Sequence, residues 1–150
     1  MRESVVLLHG LGRTCASMAS LKRGLEGQGF DVQCWSYPSR RRRLAGHISD
    51  FRDWLGKQVF EGPVHFVGHS LGGIIIRGAL ATSPPVQVGR IVMIATPNQG
   101  AGVVSNFGNW PLSRLVFGLP LEDLAEDSPA LKALGVPDAE IGIIAGVQHF

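Results

Sequence analysis

The chain predicts an α/β protein built on a mostly parallel, doubly wound sheet. Short apolar runs alternate with amphipathic stretches of helical period, and no internal repeat interrupts the alternation. Three of the apolar runs end in loops rich in glycine or small polar residues, at Gly10, Ser70 and Thr96. In an open α/β sheet, ligands bind beyond the carboxyl ends of the strands, so these loops are expected to converge on one site. With 150 residues, 45% hydrophobic and 17% charged, the composition is that of a globular chain able to bury a core, read as one domain over 1–150.

Val5-Val6-Leu7-Leu8, between Ser4 and His9-Gly10, reads as a buried parallel strand. Thr14 is a plausible N-cap for a helix whose face is Met18, Leu21 and Leu25, ended by Gly27 and Gly29. Phe30 to Trp35 alternates as a second strand, closed by Tyr37-Pro38. Leu44, Ile48, Phe51 and Leu55 recur at helical intervals and predict an amphipathic second helix. Gly62-Pro63 breaks the chain before a third strand, Val64 onward, and Ile74 to Leu80 reads as the helix after it, stopped by Ser83-Pro84-Pro85. Ile91 to Ala95 and Ile141 to Ala145 are the fourth and fifth strands.

The stretch that carries chemistry is Gly68-His69-Ser70-Leu71-Gly72, a Gly-x-Ser-x-Gly pattern between a strand and a helix. That context forces a tight turn, holds the serine in a strained conformation and exposes its hydroxyl at the end of the sheet. A Cβ at Gly68 or Gly72 would collide with the neighbouring strand or helix, and Gly73 allows close packing. Ser70 is therefore the candidate nucleophile; the alternative is a serine that merely N-caps the helix. The helix directs N–H groups and its positive dipole end to where an oxyanion would form.

At these residues the sequence resembles the α/β-hydrolase family, in particular its small bacterial lipase and esterase-like members. The resemblance implies an α/β-hydrolase fold with five of its strands present, and the family's C-terminal strand and helix missing. His9-Gly10-Leu11-Gly12 is similar to the family's His-Gly oxyanion loop. It implies backbone N–H donors from Leu11 and Leu71, with His9 holding the loop. His9, Gly10, His69, Thr96 and Pro97 are then expected to border bound substrate, since Thr96-Pro97-Asn98-Gln99-Gly100 also resembles the small-lipase turn after the corresponding strand.

The base is harder to place. His65 falls within a strand, as a satisfied or edge residue; His47 sits on the second helix and is expected to be solvated; the His69 side chain should point away from that of Ser70. The only histidine after Ser70 is His149, preceded by candidate acids Glu122, Asp123, Glu126, Asp127, Asp138 and Glu140. A triad with His149 as base can be written, but Asp138 and Glu140 precede the fifth strand, at the wrong end of the sheet. His149 itself stands where the family usually carries its acid. The resemblance thus implies that base and acid lie beyond Phe150.

Residues 101–138 lose periodicity while keeping Phe107, Trp110 and several leucines, which suits a lid or acyl-binding wall as well as short helices capping the core. Arg40 to Arg43 read as a solvated face, or as an attractor of anionic headgroups. A net charge of +2 does not suggest nucleic acid, and no metal-ligand spacing, phosphate loop or dinucleotide fingerprint appears, so no cofactor is expected. Cys15 and Cys34 read as buried fillers of a reduced-compartment protein, with a disulfide left open. The first apolar run is too short for a signal sequence or membrane span, which suggests a cytoplasmic chain without stable membrane insertion. The expected activity is cleavage of a small-molecule or lipid carboxylic ester through Ser70. The other reading is a non-catalytic truncated hydrolase or binding module that keeps the pocket. Oligomeric state is not legible.

Overall fold

A computed structural model describes residues 2–100, 118–125 and 127–146. Five strands, β1 (Ser4–Leu8), β2 (Asp31–Trp35), β3 (Val64–His69), β4 (Val88–Ile94) and β5 (Ile141–Ile144), form one sheet in the order β2-β1-β3-β4-β5. Every pairing is parallel. Helices α1 (Ala19–Gly27), α2 (Leu44–Leu55) and α3 (Leu71–Leu80) make the crossovers, and α4 (Pro129–Ala133) precedes β5. Thr14 caps as expected, but what it caps is a 3-10 turn, Cys15–Met18, leading into α1.

The alternation of β1 divides the core in two. Val5 and Leu7 face α1 and pack with Met18, Val32 and Val67. Val6 and Leu8 face the other way, into a larger cluster with Phe51, Phe66, Ile74, Ile75, Ile91 and Met93 beneath α2 and α3. This opposite placement follows from the strand order: the chain runs one way from β1 to β2, then returns past β1 to β3, and right-handed crossovers in opposite directions put helices on opposite faces. The reversal between β1 and β3 is the sheet's switch point, where α/β folds open a crevice.

Two expectations about side chains are corrected. Cys15 and Cys34 are not reduced fillers: they form a disulfide that ties the turn after β1 to β2. His47 is not solvated: it is fully buried and sets its ring edge-on against Tyr37. Arg40 to Arg43 are only partly a solvated face. Arg42 pairs with Asp50, and Arg43 reaches both Glu122 and Asp123.

Asp123 also closes a gap in α2. Arg43, at the N-cap, offers no side-chain cap, and the buried Leu44 N–H, without an intrahelical partner, donates instead to Asp123 Oδ2 at 2.9 Å. One carboxylate thus serves a helix N-terminus and a guanidinium about eighty residues back in the chain. Asp123→Ala should cost about 1–2 kcal/mol, the range for a lost cap, and lower the urea midpoint. An unchanged midpoint would show that water caps α2 equally well.

Arg77 of α3 performs a similar service beside β4. Its guanidinium donates to the carbonyls of Asn98, Leu134 and Gly135, fastening the loop after β4 to the segment before β5. Ile143 and Ile144 on the edge strand β5 are 63% and 58% exposed. Among the described residues, no helix is long and apolar enough to cross a membrane.

Candidate active site

Ser70 occupies the turn between β3 and α3 with φ 53 and ψ −118, a region that residues with a Cβ seldom enter. The surrounding backbone imposes this geometry. Ser70 N–H donates to Ile94 C=O at the end of β4, and Ser70 C=O accepts from Gly73 N–H. A Cβ on Gly68 would strike the backbone of Gly73, and one on Gly72 would lie 2.5 Å from Leu8 O and 2.8 Å from His9 O. α3 can therefore start this close to β1 and β3 only over glycine. Although Ser70 holds the N-cap position, its side chain makes no capping hydrogen bond. The role of simple helix cap is not what the geometry shows.

Leu71 begins α3, so its N–H belongs to the first turn, where no intrahelical carbonyl is in reach. Across from it runs the loop after β1. A Cβ on Gly10 would fall 3.3 Å from Ser70 Cβ and 2.8 Å from His69 Nδ1, so this loop passes against the turn that carries Ser70. The Gly10 carbonyl accepts from both His9 Nδ1, at 2.9 Å, and Arg13 N–H, at 3.2 Å. In a trans peptide the carbonyl and the following N–H point in opposite directions. Holding the Gly10 carbonyl therefore aims the Leu11 N–H the other way.

His9 is fully buried, which corrects the expectation that it borders substrate. Tyr37 N–H donates to its Nε2 at 3.4 Å, so Nε2 is the acceptor and the proton sits on Nδ1, facing Gly10 O. The Tyr37 ring stacks on the imidazole at 4.2 Å, and the Tyr37 hydroxyl donates to His9 C=O at 2.6 Å. Burial pushes the Tyr37 phenol far above its ordinary range. Burial likewise holds the pKa values of His9 and His47 below the usual 6.5, against smaller opposing contributions from their hydrogen bonds to Gly10 and Ser39.

Both rings thus take up a proton less readily in the fold than in the unfolded chain, which does so as pH falls through about 6.5. Stability from these two sites is complete above that pH and is lost progressively below it. Thermal melts should show a lower Tm at pH 5 than at pH 7.5. A flat profile across that window would mean that neither ring needs to be neutral.

The remaining expected residues are less uniform. His69 is half-buried and lines a cleft with Arg13, Ser17, Met18, Leu21 and Ile94 on the α1 side. Thr96 is half-buried, and its hydroxyl is packed against Gly73 with no hydrogen-bond partner among the described residues. Pro97 is half-buried in the loop after β4. His65 is satisfied, accepting from Arg90 N–H and lying 3.5 Å from Glu3. Of the candidate acids, Asp123 and Glu122 are engaged by Arg43, Asp127 by Lys132 and Glu140 by Arg90. Glu126, His149 and the stretch 101–117 lie outside the described residues. Among the described residues, no group of three His, Cys, Asp or Glu side chains could hold a metal.

The five strands form one parallel sheet, and the turn after its central strand, β3, holds Ser70 at positive φ ahead of α3. The model of the alpha/beta hydrolase family matches residues 5–144, and the chain belongs to that family. It is similar to 2-hydroxy-6-oxononadienedioate/2-hydroxy-6-oxononatrienedioate hydrolase 1 of Pseudomonas putida, at 27% identity over 91% of this chain and 51% of that one. Among solved structures it resembles the lipase BlEst2 of Bacillus licheniformis, with a TM-score of 0.71 and 20% identity over 88% of this chain and 57% of that one. It also resembles the phospholipase PlaB of Legionella pneumophila, with a TM-score of 0.73 and 19% identity over 87% of this chain and 34% of that one. The structural likenesses establish the fold, and the chain spans about half the length of the curated relative.

Proposed function

We propose that this chain carries the nucleophile and oxyanion-binding groups of a serine hydrolase acting on carboxylic esters. The observation that carries the reading is Ser70, held at φ 53 with its side chain making no capping hydrogen bond to the helix that follows it. In this reading Ser70 Oγ attacks the ester carbonyl, and the N–H groups of Leu71 and Leu11 hold the oxygen as it gains charge. The alkoxide leaves and an acyl-Ser70 remains for water to hydrolyse. Base and acid come from residues outside the described ones, with His149 the candidate within the chain. The names of the lipase and phospholipase relatives favour acyl esters, lipids included. The disulfide favours an oxidising compartment over the cytoplasm suggested by the N-terminal sequence.

A second reading is a non-catalytic member that keeps the pocket. It is favoured by one observation: among the described residues, no histidine paired with an acid faces Ser70. Acyl trapping separates the two. The folded chain would be incubated with a p-nitrophenyl ester and imidazole as external base, quenched in acid and weighed intact. The hydrolase reading expects one added acyl group, mapped to Ser70. Adducts confined to lysines, or none, would sink it.

A further inference from the structure

The loop that aims the Leu11 N–H is held at a point that neither the motif nor the family match identifies. Gly12 N–H donates to Ser39 Oγ at 2.9 Å, across 27 positions of sequence. Ser39 is only 5% exposed, and its carbonyl accepts from His47 Nε2, at 3.2 Å, on the buried face of α2. The turn carrying Ser39 is fixed from its far side as well. Arg40 C=O accepts from Leu119 N–H, while Arg43 and Leu44 N–H are gripped by Asp123. Ser39 therefore stands between a braced turn and the loop beside Ser70.

Leu11 lies between two peptide planes. The plane before it is set by the Gly10 carbonyl, held by His9 and Arg13. The plane after it contains Gly12 N–H, which Ser39 holds. Gly12 has φ 68, a conformation that glycine adopts and leaves at little cost. With the second plane free, rotation about Leu11 and Gly12 would let both planes swing together. With both held, the direction of the Leu11 N–H is determined.

We propose that Ser39 is a positioning residue for the reaction at Ser70, acting through Gly12 to fix the Leu11 N–H toward the developing oxyanion. The proposal rests on reading Leu11 as an oxyanion donor. It gives Ser39 a part in acyl transfer without contact to substrate.

Amide hydrogen exchange by NMR, with the rate of Ser70 modification by a fluorophosphonate probe in the presence of imidazole, tests it on the whole chain. Gly12 is exposed, so protection of its amide requires a hydrogen bond. The wild-type Gly12 amide should exchange well below the unprotected rate. Ser39→Ala should speed Gly12 exchange by roughly three- to tenfold, the equivalent of one net hydrogen bond. It should slow modification of Ser70 by about tenfold, short of the loss from deleting an oxyanion donor. Val6 and Leu7 exchange and the Tm should stay close to wild type. Ser39→Thr, which keeps the Oγ, should restore the modification rate.

An unprotected Gly12 amide in the wild type overturns the proposal without any variant, even if Ser39→Ala fails to fold. Faster exchange in Ser39→Ala with an unchanged modification rate also overturns it, leaving Ser39 a structural contact alone. A wild-type chain with a protected Gly12 and a Ser70 that never reacts refutes the nucleophile reading, and the proposal falls with it.

Discussion

Gly72→Ala is expected to leave the chain unfolded or grossly destabilised. The added Cβ would sit 2.5 Å from the Leu8 carbonyl oxygen and 2.8 Å from that of His9. Neither atom is the tip of a flexible side chain. Leu8 is fully buried at the end of β1 and pairs with Trp35 on one side and Gly68 on the other. Relief would require moving β1, or tilting α3 away from a cluster that includes Leu71, Ile74, Ile75 and Ile76. Overpacking a tolerant core costs about 1–3 kcal/mol. Here the obstacle is backbone at the centre of the sheet, and the loss should exceed that range. Gly68→Ala meets the backbone of Gly73 and should behave alike. Circular dichroism and urea titration decide the matter: a cooperative transition within about 1 kcal/mol of wild type would mean that α3 does not sit this close to β1.

Ser70→Gly is expected to abolish acylation while making the protein more stable. At φ 53 and ψ −118 a residue with a Cβ carries about 1–3 kcal/mol of strain, which glycine relieves. Glycine's greater loss of backbone freedom offsets about 0.5–1 kcal/mol of that gain. A net rise of about 1 kcal/mol in unfolding free energy should remain. Ser70→Ala keeps the Cβ, and so the strain, and should lose acylation without the gain. The pair separates strain from chemistry. A Ser70→Gly variant less stable than Ser70→Ala would show that Ser70 is not strained in solution.

Much of this architecture was legible because it rests on local pattern. The apolar runs at Val5, Val64, Ile91 and Ile141 are all strands of one sheet, and the face Leu44, Ile48, Phe51 and Leu55 lies on α2. The turn at Ser70 was legible because its glycines are needed at fixed offsets. What was not legible depends on contacts between distant segments. Nothing in the spacing of Cys15 and Cys34 shows that β2 lies beside β1 and brings the two sulfurs together. The contact of Ser39 with Gly12 has no periodic signature either.

His47 is a different kind of miss. It comes three residues after Leu44 and four before Phe51, so the helical spacing itself placed it on the buried face. Its polarity outweighed its position in the expectation, wrongly. The packing of the Thr96 hydroxyl into the space that Gly73 leaves has no signature in the spacing of the chain either. The burial of His9 is set by Tyr37, twenty-eight positions on, which no local pattern signals.

The central claim is that Ser70 is a nucleophile prepared by its backbone. Intact-mass measurement after fluorophosphonate treatment tests it most directly, with and without imidazole and with Ser70→Ala as control. Circular dichroism on the same samples reports folding. A single phosphonyl adduct on Ser70 is expected, accelerated by imidazole and absent from the variant. A folded chain that gains no adduct at Ser70, even with imidazole supplied, would contradict it.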